Sequence, residues 1–174
     1  MAKIGLFYAT DTGNTRKVAK LIKKQFDEGD VELFNVKGAT AENLTACDAL
    51  IFGTPTLGDG ELPEPLAEFL PTLESVDLSG KTVALFGLGD QVGYPDEFVD
   101  ALGILYKKLR KLGVRLVGSW SAEGYEFTKS KAFRDGAFVG LALDQDNQAD
   151  LTEERLDEWL EQVKLELLGE TVAG

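Results

Sequence analysis

Short apolar runs alternate along this chain with longer stretches in which apolar residues recur at helical spacing. Short apolar runs bounded by turn-forming residues predict buried β-strands. Strands that alternate with helices predict a parallel sheet with helices on both faces, because each parallel connection must cross over one face. This alternation constrains the fold more than any single motif does, and it predicts an α/β protein.

The predicted strands occupy five positions, the fifth of them in two pieces: 3–8, 31–36, 49–53, 82–87, and 114–120 with 138–143. The predicted helices are 15–26, 41–46, 64–73, 95–112 and 152–168. The fourth helix has the clearest signals, with Pro95 at its start, acidic residues in its first turn and Gly113 beyond its end. A polar insertion, at about 120–137, separates the two pieces of the fifth strand.

Composition narrows the class of protein. A length of 174 residues predicts one domain over 1–174, and a net charge of −12 disfavours nucleic acid or an anionic membrane as a partner. Cys47 is the only cysteine, which excludes an internal disulfide and fits a reducing compartment. No apolar stretch approaches transmembrane length and no signal-peptide pattern opens the chain, so a cytoplasmic protein is predicted.

The chain contains no histidine. This excludes Ser-His-Asp and Cys-His arrangements and removes the commonest general base and metal ligand, so no catalytic residue and no metal site are predicted. Any redox chemistry then requires a bound cofactor.

The loop after the first strand reads Thr10-Asp11-Thr12-Gly13-Asn14-Thr15 and leads into the first helix. Unpaired backbone N–H groups at a helix N-terminus favour an anion, and the three hydroxyl groups add donors. The loop has neither the Walker A pattern nor G-x-G-x-x-G. A phosphate site is therefore predicted, with an ordinary threonine-capped helix start as the alternative.

In parallel α/β sheets, ligands bind beyond the carboxyl ends of the strands. The loop after strand three contains two prolines, three glycines and the apolar Leu57. The loop after strand four contains three glycines and Tyr94, which is placed to cover a flat ligand or, alternatively, to pack on the next helix. One loop suited to phosphate and two suited to a planar ring together predict a flat, phosphorylated cofactor.

Four motifs resemble those of the long-chain flavodoxins, which are small electron carriers that bind FMN: Thr10-x-Thr12-Gly13-x-Thr15, Thr54-Pro55-Thr56, Gly87-Leu88-Gly89-Asp90-Gln91-x-Gly93-Tyr94 and Val139-Gly140-Leu141-Ala142-Leu143-Asp144-x-Asp146-Asn147-Gln148. The segment 54–58 is similar to that of nitrogen-fixation flavodoxins. The resemblance covers essentially the whole chain. It implies a three-layer, doubly wound, five-stranded parallel sheet in the order 2-1-3-4-5, with the insertion in strand five that marks the long-chain group.

The resemblance also implies the residues that bind FMN. The phosphate would lie at the loop after strand one, and the flavin ring would lie between Tyr94 and Leu57, where many members have tryptophan. The predicted cofactor-binding residues are Thr10, Asp11, Thr12, Gly13, Asn14, Thr15, Thr54, Pro55, Thr56, Leu57, Gly58, Leu88, Gly89, Asp90, Gln91, Tyr94, Asp96 and Asp146.

The implied function is low-potential one-electron transfer, in which FMN alternates between its neutral semiquinone and its hydroquinone, without substrate turnover by the protein itself. The peptide after Gly58 would turn to accept a hydrogen bond from the flavin N5–H, which glycine permits in both orientations. Residues 54–100 contain ten acidic residues and one basic residue, Lys81. This negative charge disfavours further reduction of the ring and attracts basic surfaces.

By the same resemblance, the partners would be basic-surfaced redox proteins: a flavodoxin/ferredoxin-NADP reductase-like donor and a low-potential acceptor, for which nitrogenase reductase is one candidate. A monomer is expected. The main alternative is an FMN-dependent NAD(P)H:quinone oxidoreductase. A phospho-accepting receiver domain is disfavoured, because strand three ends in Phe52-Gly53-Thr54 where that class needs an aspartate.

Overall fold

The computed structural model describes residues 3–9, 13–58 and 60–169. The elements are, in chain order, β1 (Ile4–Tyr8), α1 (Asn14–Lys24), β2 (Val31–Asn35), α2 (Ala41–Thr45), β3 (Ala49–Pro55), α3 (Glu64–Glu74), β4 (Thr82–Leu88), α4 (Asp100–Arg110), β5 (Arg115–Val117), β6 (Phe133–Arg134), β7 (Ala137–Phe138), β8 (Leu141–Leu143), a 3₁₀ turn (Ala149–Leu151) and α5 (Thr152–Leu167).

The main sheet is parallel and has the order β2-β1-β3-β4-β5, which confirms the predicted order 2-1-3-4-5. The fifth position is shared by two short strands. β5 pairs with the first half of β4 at Thr82–Ala84, and β8 pairs with its second half at Phe86–Leu88. The chain therefore leaves the sheet after β5, forms the insertion and returns to the same position.

The two pieces of strand five are shorter than predicted, and local contacts explain both differences. After β5, Gly118 adopts a left-handed conformation with φ of 87°, and its carbonyl accepts a hydrogen bond from the Trp159 indole N–H at 2.9 Å. Phe138, predicted to begin the second piece, lies instead in β7, which pairs antiparallel with β6 within the insertion. Phe138 also exchanges backbone hydrogen bonds with Trp120, at 2.9 and 2.8 Å.

Two apolar cores lie on opposite faces of the sheet and produce the predicted three layers. One core packs α2, α3, α4 and the insertion against the sheet, and the other packs α1 and α5. The predicted core face of the last helix is confirmed, because its four apolar residues are buried in the second core: Leu156, Trp159, Leu160 and Val163. Cys47 is also buried, as a small apolar residue would be, and burial raises the pKa of its thiol.

The predicted start of the fourth helix at Pro95 is wrong, because α4 begins at Asp100. The carbonyl of Pro95 accepts hydrogen bonds from the backbone N–H groups of Thr128 and Lys129, at 2.7 and 3.0 Å, instead of from the next helical turn. Val99 then enters the helix with a φ of 47°. Contacts with the insertion therefore hold residues 95–99 as a loop.

None of the helices in the described part of the chain is long and apolar enough to cross a membrane.

The insertion packs directly on α4 at Gly103. A Cβ atom at this position would lie 2.3 Å from the backbone carbon and 2.4 Å from the carbonyl oxygen of Lys131. Only a residue without a side chain permits this approach, so the insertion and α4 are held together at backbone distance.

We expect Gly103→Ala to destabilise the protein, although alanine normally favours a helix over glycine. The added methyl group must displace the backbone of Lys131, and overpacking of this kind costs about 1–3 kcal/mol. Urea unfolding of the variant measures the change, and Arg110→Ala on the exposed face of α4 is the control. An alanine variant as stable as the parent would show that the insertion shifts away without cost.

Candidate functional site

A cavity of about 310 Å³ lies beyond the carboxyl ends of β1, β3 and β4, where the strand order reverses. This is the position at which parallel α/β folds bind ligands. The described residues that line it are Asn14, Thr15, Pro55, Thr56, Leu57, Gly58, Leu88, Gly89, Asp90, Tyr94, Glu97, Gln145 and Asp146.

The N-terminus of α1 forms one end of the cavity, where Asn14 and the buried Thr15 line it. Gly13 precedes the helix with a φ of 94°, which is favourable only for glycine. Its carbonyl accepts the first intrahelical hydrogen bond, from Lys17 N–H at 3.1 Å. The positive end of the α1 helix dipole lies at the cavity. The first turn of α1 contains no acidic residue, so no carboxylate of that turn offsets this positive charge.

The loop after β3 places Leu57 and Gly58 in the cavity wall. Leu57 and Glu61 form an antiparallel bridge, in which Leu57 N–H donates to the Glu61 carbonyl at 3.0 Å and Glu61 N–H donates back at 2.8 Å. Thr56 joins this loop to its neighbours, since its N–H donates to the Leu88 carbonyl and its hydroxyl accepts from Ala101 N–H at 3.2 Å. Gly58 has a φ of 43°, and a Cβ atom there would meet no other atom within 4 Å.

The loop after β4 turns on the carboxylate of Asp90. This carboxylate accepts hydrogen bonds from the backbone N–H groups of Val92 at 3.1 Å and Gly93 at 2.7 Å. The pKa of Asp90 is lowered, and the hydrogen bond from the Gly93 N–H is the largest cause. Tyr94 follows this turn and remains 46% exposed, so its ring is an open apolar wall of the cavity.

The Asp144 carboxylate connects this loop to the one after β8. It is fully buried and accepts from Gln91, through the backbone N–H at 3.2 Å and the side-chain amide at 2.7 Å. On the other side, the backbone N–H groups of Asp146 and Asn147 donate to it at 3.1 and 3.0 Å. The Asn147 side-chain amide lies within 3.1 Å of Asp144 and 2.8 Å of Asp90. Uncharged amides thus hold the two loops together around one buried carboxylate.

Gln91 extends this network to the insertion and α5. Its side-chain carbonyl accepts from Glu126 N–H at 2.6 Å, and its amide donates to Gln148 at 2.8 Å. Arg155 donates to the same Gln148 oxygen and lies 4.0 Å from the centre of the Tyr125 ring. The insertion is therefore anchored to the same residues that position the cavity loops.

Tyr125 anchors the insertion to β8. Its hydroxyl donates to the Ala142 carbonyl at 2.5 Å and accepts from the Trp120 indole N–H at 2.9 Å. Burial raises the pKa of Tyr125 to about 12. The phenol therefore keeps its proton, and this hydrogen bond, across the physiological range.

Three carboxylates, those of Asp90, Asp144 and Asp146, have oxygen atoms within 4.8 Å of one another. Asp90 and Asp144 are each engaged by N–H donors, as described above. Asp146 is more exposed, and burial followed by the negative charges of Asp90 and Asp144 raises its pKa. The cluster therefore supplies a strong negative potential at one side of the cavity.

The cavity brings together most of the predicted cofactor-binding residues: Asn14, Thr15, Pro55, Thr56, Leu57, Gly58, Leu88, Gly89, Asp90, Tyr94 and Asp146. Gly13, Thr54, Gln91 and Asp96 do not line it. Thr54 is buried, with its hydroxyl bonded to the Pro55 carbonyl, and Gln91 belongs to the Asp144 network. Thr10, Asp11 and Thr12 lie outside the described residues.

Two lining residues, Glu97 and Gln145, were not predicted. Glu97 is one of the acidic residues that the sequence places in the first turn of the predicted helix 95–112, whereas the structure places it in the loop before α4. Gln145 stands between Asp144 and Asp146, and that position in the motif signalled its proximity to the cavity.

Comparison with known proteins decides the family. A family model described as Flavodoxin matches residues 6–159 of the chain. The chain belongs to the flavodoxin family. This flavodoxin is 50% identical to the flavodoxin of Klebsiella pneumoniae over 97% of its own length and 100% of that protein. It is also 50% identical to a flavodoxin of Picosynechococcus sp., over 94% of this chain and 97% of that one.

The fold comparison agrees with the sequence comparison. The crystal structure of Fusobacterium nucleatum flavodoxin bound to flavin mononucleotide superposes with a TM-score of 0.89 and 36% identity, covering 95% of this chain and 99% of that one. These matches confirm the predicted family and fold. As a flavodoxin, the protein is an electron-transfer protein, and electron transfer requires redox partners.

We expect Gln91→Ala to lower the free energy of unfolding by about 2 kcal/mol, because a hydrogen bond to a buried carboxylate is lost and Asp144 is left with fewer donors. Urea unfolding measures this change. Gln162→Ala is the control, since Gln162 is exposed and donates a single hydrogen bond to the Ser119 carbonyl. Equal stabilities of the two variants would contradict a central role for the Asp144 network.

Proposed function

We propose that this flavodoxin binds FMN non-covalently in the cavity beyond β1, β3 and β4 and uses it as a low-potential one-electron carrier. The observation that carries the proposal is the combination of three features in one cavity. They are a helix N-terminus, the apolar side chains of Leu57 and Tyr94, and a set of carboxylates. The likeness to a flavodoxin that binds flavin mononucleotide supports the same assignment.

The residues present fit each part of FMN. The N-terminus of α1, with the Thr15 hydroxyl and backbone amides, suits the phosphate, because unpaired N–H groups and the helix dipole both favour an anion. Leu57 and Tyr94 suit the flat ring, since one provides apolar contact and the other an aromatic face. Thr10 and Thr12, which lie outside the described residues, complete the proposed phosphate site.

When bound, FMN supplies reversible one-electron oxidation and reduction. The contribution of the protein is electrostatic, and Asp90, Glu97 and Asp146 carry it at the cavity itself. Burial is the largest cause that raises the pKa of Asp146, and the negative charges of Asp90 and Asp144 raise it further, which is the part due to the negative potential at that side. The same potential disfavours the gain of negative charge by a bound ring, so these residues lower the reduction potential.

Tyr94 is exposed, so the part of the cavity proposed to hold the flavin ring reaches the protein surface. This exposure supports direct electron exchange with a docked protein. We propose basic-surfaced partners, a flavodoxin/ferredoxin-NADP reductase-like donor and a low-potential acceptor such as nitrogenase reductase, since the acidic cavity edge attracts such surfaces. In this proposal the chain is a single-domain cytoplasmic monomer without substrate turnover of its own.

Stepwise anaerobic reduction of the FMN-loaded protein, followed by absorbance, tests the proposed function. We expect two separate one-electron steps, with a long-wavelength intermediate that accumulates before complete bleaching. Bleaching in a single two-electron step, together with NAD(P)H oxidation by the isolated protein, would contradict the carrier function. That result would favour the quinone oxidoreductase alternative.

The carboxylates at the cavity can be tested separately from binding. We expect Glu97→Gln combined with Asp146→Asn to raise the reduction potentials of bound FMN by an amount on the order of tens of millivolts, because two negative charges near the ring are removed. Asp90 is left intact, since its carboxylate holds the loop. Glu158→Gln combined with Glu161→Gln on the exposed face of α5 is the matched control. Equal potentials in both double variants would contradict a local electrostatic effect.

A further inference from the structure

A second cavity, of about 500 Å³, lies between α4 and the insertion and shares no lining residue with the first. We call it the basic groove. Its described lining residues are Gly103, Ile104, Lys107, Lys108, Lys111, Ser130, Lys131, Phe133 and Arg134.

The charge of the basic groove is opposite to that of the whole protein. Five of its nine lining residues are cationic and none is acidic, in a chain with a net charge of −12. Among the described residues, Lys108 forms the one ion pair of the groove, with Glu74 at 3.5 Å between half-exposed side chains. In the described part of the chain, no carboxylate oxygen lies within 4.0 Å of the side-chain nitrogen atoms of the other four cations. Their positive charge therefore remains uncompensated by close ion pairs.

Stabilisation of α4 does not explain this concentration of charge. Lys107 and Lys108 in its last turn complement the helix dipole, but Lys131 and Arg134 come from the insertion. The insertion is fixed against α4 by the backbone contact at Gly103 and by Lys131 N–H, which donates to Asp100 at 2.8 Å. Arg134 lies over the Tyr106 ring at 5.3 Å. The two walls of the groove are thus held in place by the fold.

The floor between these cations is apolar. Ile104 is half-buried, and the Phe133 ring is 39% exposed. The Phe133 ring is supported from below by Phe127 and Phe138, with ring centres 5.8 and 5.9 Å away. A free inorganic anion would make no use of this surface, whereas a polypeptide segment would bury it.

We propose that the basic groove docks an acidic segment of a partner protein, with its carboxylates on Lys107, Lys111 and Lys131 and an apolar side chain against Ile104 and Phe133. Charge complementarity selects this occupant, because such a segment would be repelled by the cavity edge that carries Glu97 and Asp146. The groove shares no lining residue with the first cavity, so a segment docked here does not occupy the residues that line that cavity. The carrier can therefore hold an acidic protein on one surface and a basic redox partner on the other.

The exposure of the lysines indicates weak, rapidly reversible and salt-sensitive binding. The probe is a blocked glutamate-rich peptide that contains one phenylalanine, titrated into the FMN-loaded, ¹⁵N-labelled protein at low salt. We expect amide resonances of residues 103–111 and 130–134 to shift and to return as salt is added. A peptide with lysine in place of glutamate is the control for sign, and inorganic tripolyphosphate is the control for a small anion.

A charge-matched pair of variants assigns the effect to the groove. We expect Lys107→Gln, Lys111→Gln and Lys131→Gln together to weaken peptide binding by about tenfold, the effect of removing three exposed ion pairs. The control is Lys20→Gln, Lys23→Gln and Lys24→Gln together, which removes the same charge from exposed positions of α1 and leaves binding unchanged.

Three results would overturn the proposal. They are an absence of shifts in the groove, equal loss of binding in both triple variants, or tighter binding of tripolyphosphate than of the peptide at the same residues. The reduction potentials of bound FMN are expected to stay unchanged in the groove variant. The outcome is therefore independent of the carrier function.

Discussion

The buried carboxylate of Asp144 is the constraint on which the cavity depends. A buried carboxylate is tolerated only when its oxygens are hydrogen-bonded, and here uncharged amides from two loops supply the donors. One oxygen of this carboxylate accepts from Gln91 in the loop after β4, and the other accepts from the backbone of residues 146 and 147 in the loop after β8, so the carboxylate holds the two loops together. Gln91 carries this connection to the insertion through Glu126, so three separate parts of the chain share one hydrogen-bond network.

The interrupted fifth strand explains why these parts meet. β5 and β8 together pair with one edge of β4. Between these two strands the chain leaves the sheet and packs on α4. This excursion places Tyr125 next to β8 and Lys131 next to Gly103. The insertion therefore has two roles in the fold, since it supports the cavity loops at one end and forms a wall of the basic groove along α4.

Elements with a strong local signal were predicted well. The apolar runs identified the strands, and the spacing of Leu156, Trp159, Leu160 and Val163 identified the buried face of the last helix. The start of α4 was not predictable, because Pro95 and the acidic residues after it are ordinary helix-start signals. What overrides them is the pair of hydrogen bonds from residues 128 and 129, more than thirty positions away in sequence. For the same reason Glu97, assigned to a helix, was missed at the cavity.

By itself, the sequence determined the fold class, the family and the three loops that form the cavity, because strand alternation and loop motifs are local and their meeting point follows from parallel topology. Only the tertiary structure decided which acidic residues are buried and which line the cavity: Asp144 is buried in a hydrogen-bond network, whereas Glu97 lines the cavity. It alone revealed the basic groove, since Lys107 and Lys131 are distant in sequence and meet only where Gly103 lets the insertion reach α4. Long-range contacts of this kind leave no periodic or motif signal in a single sequence.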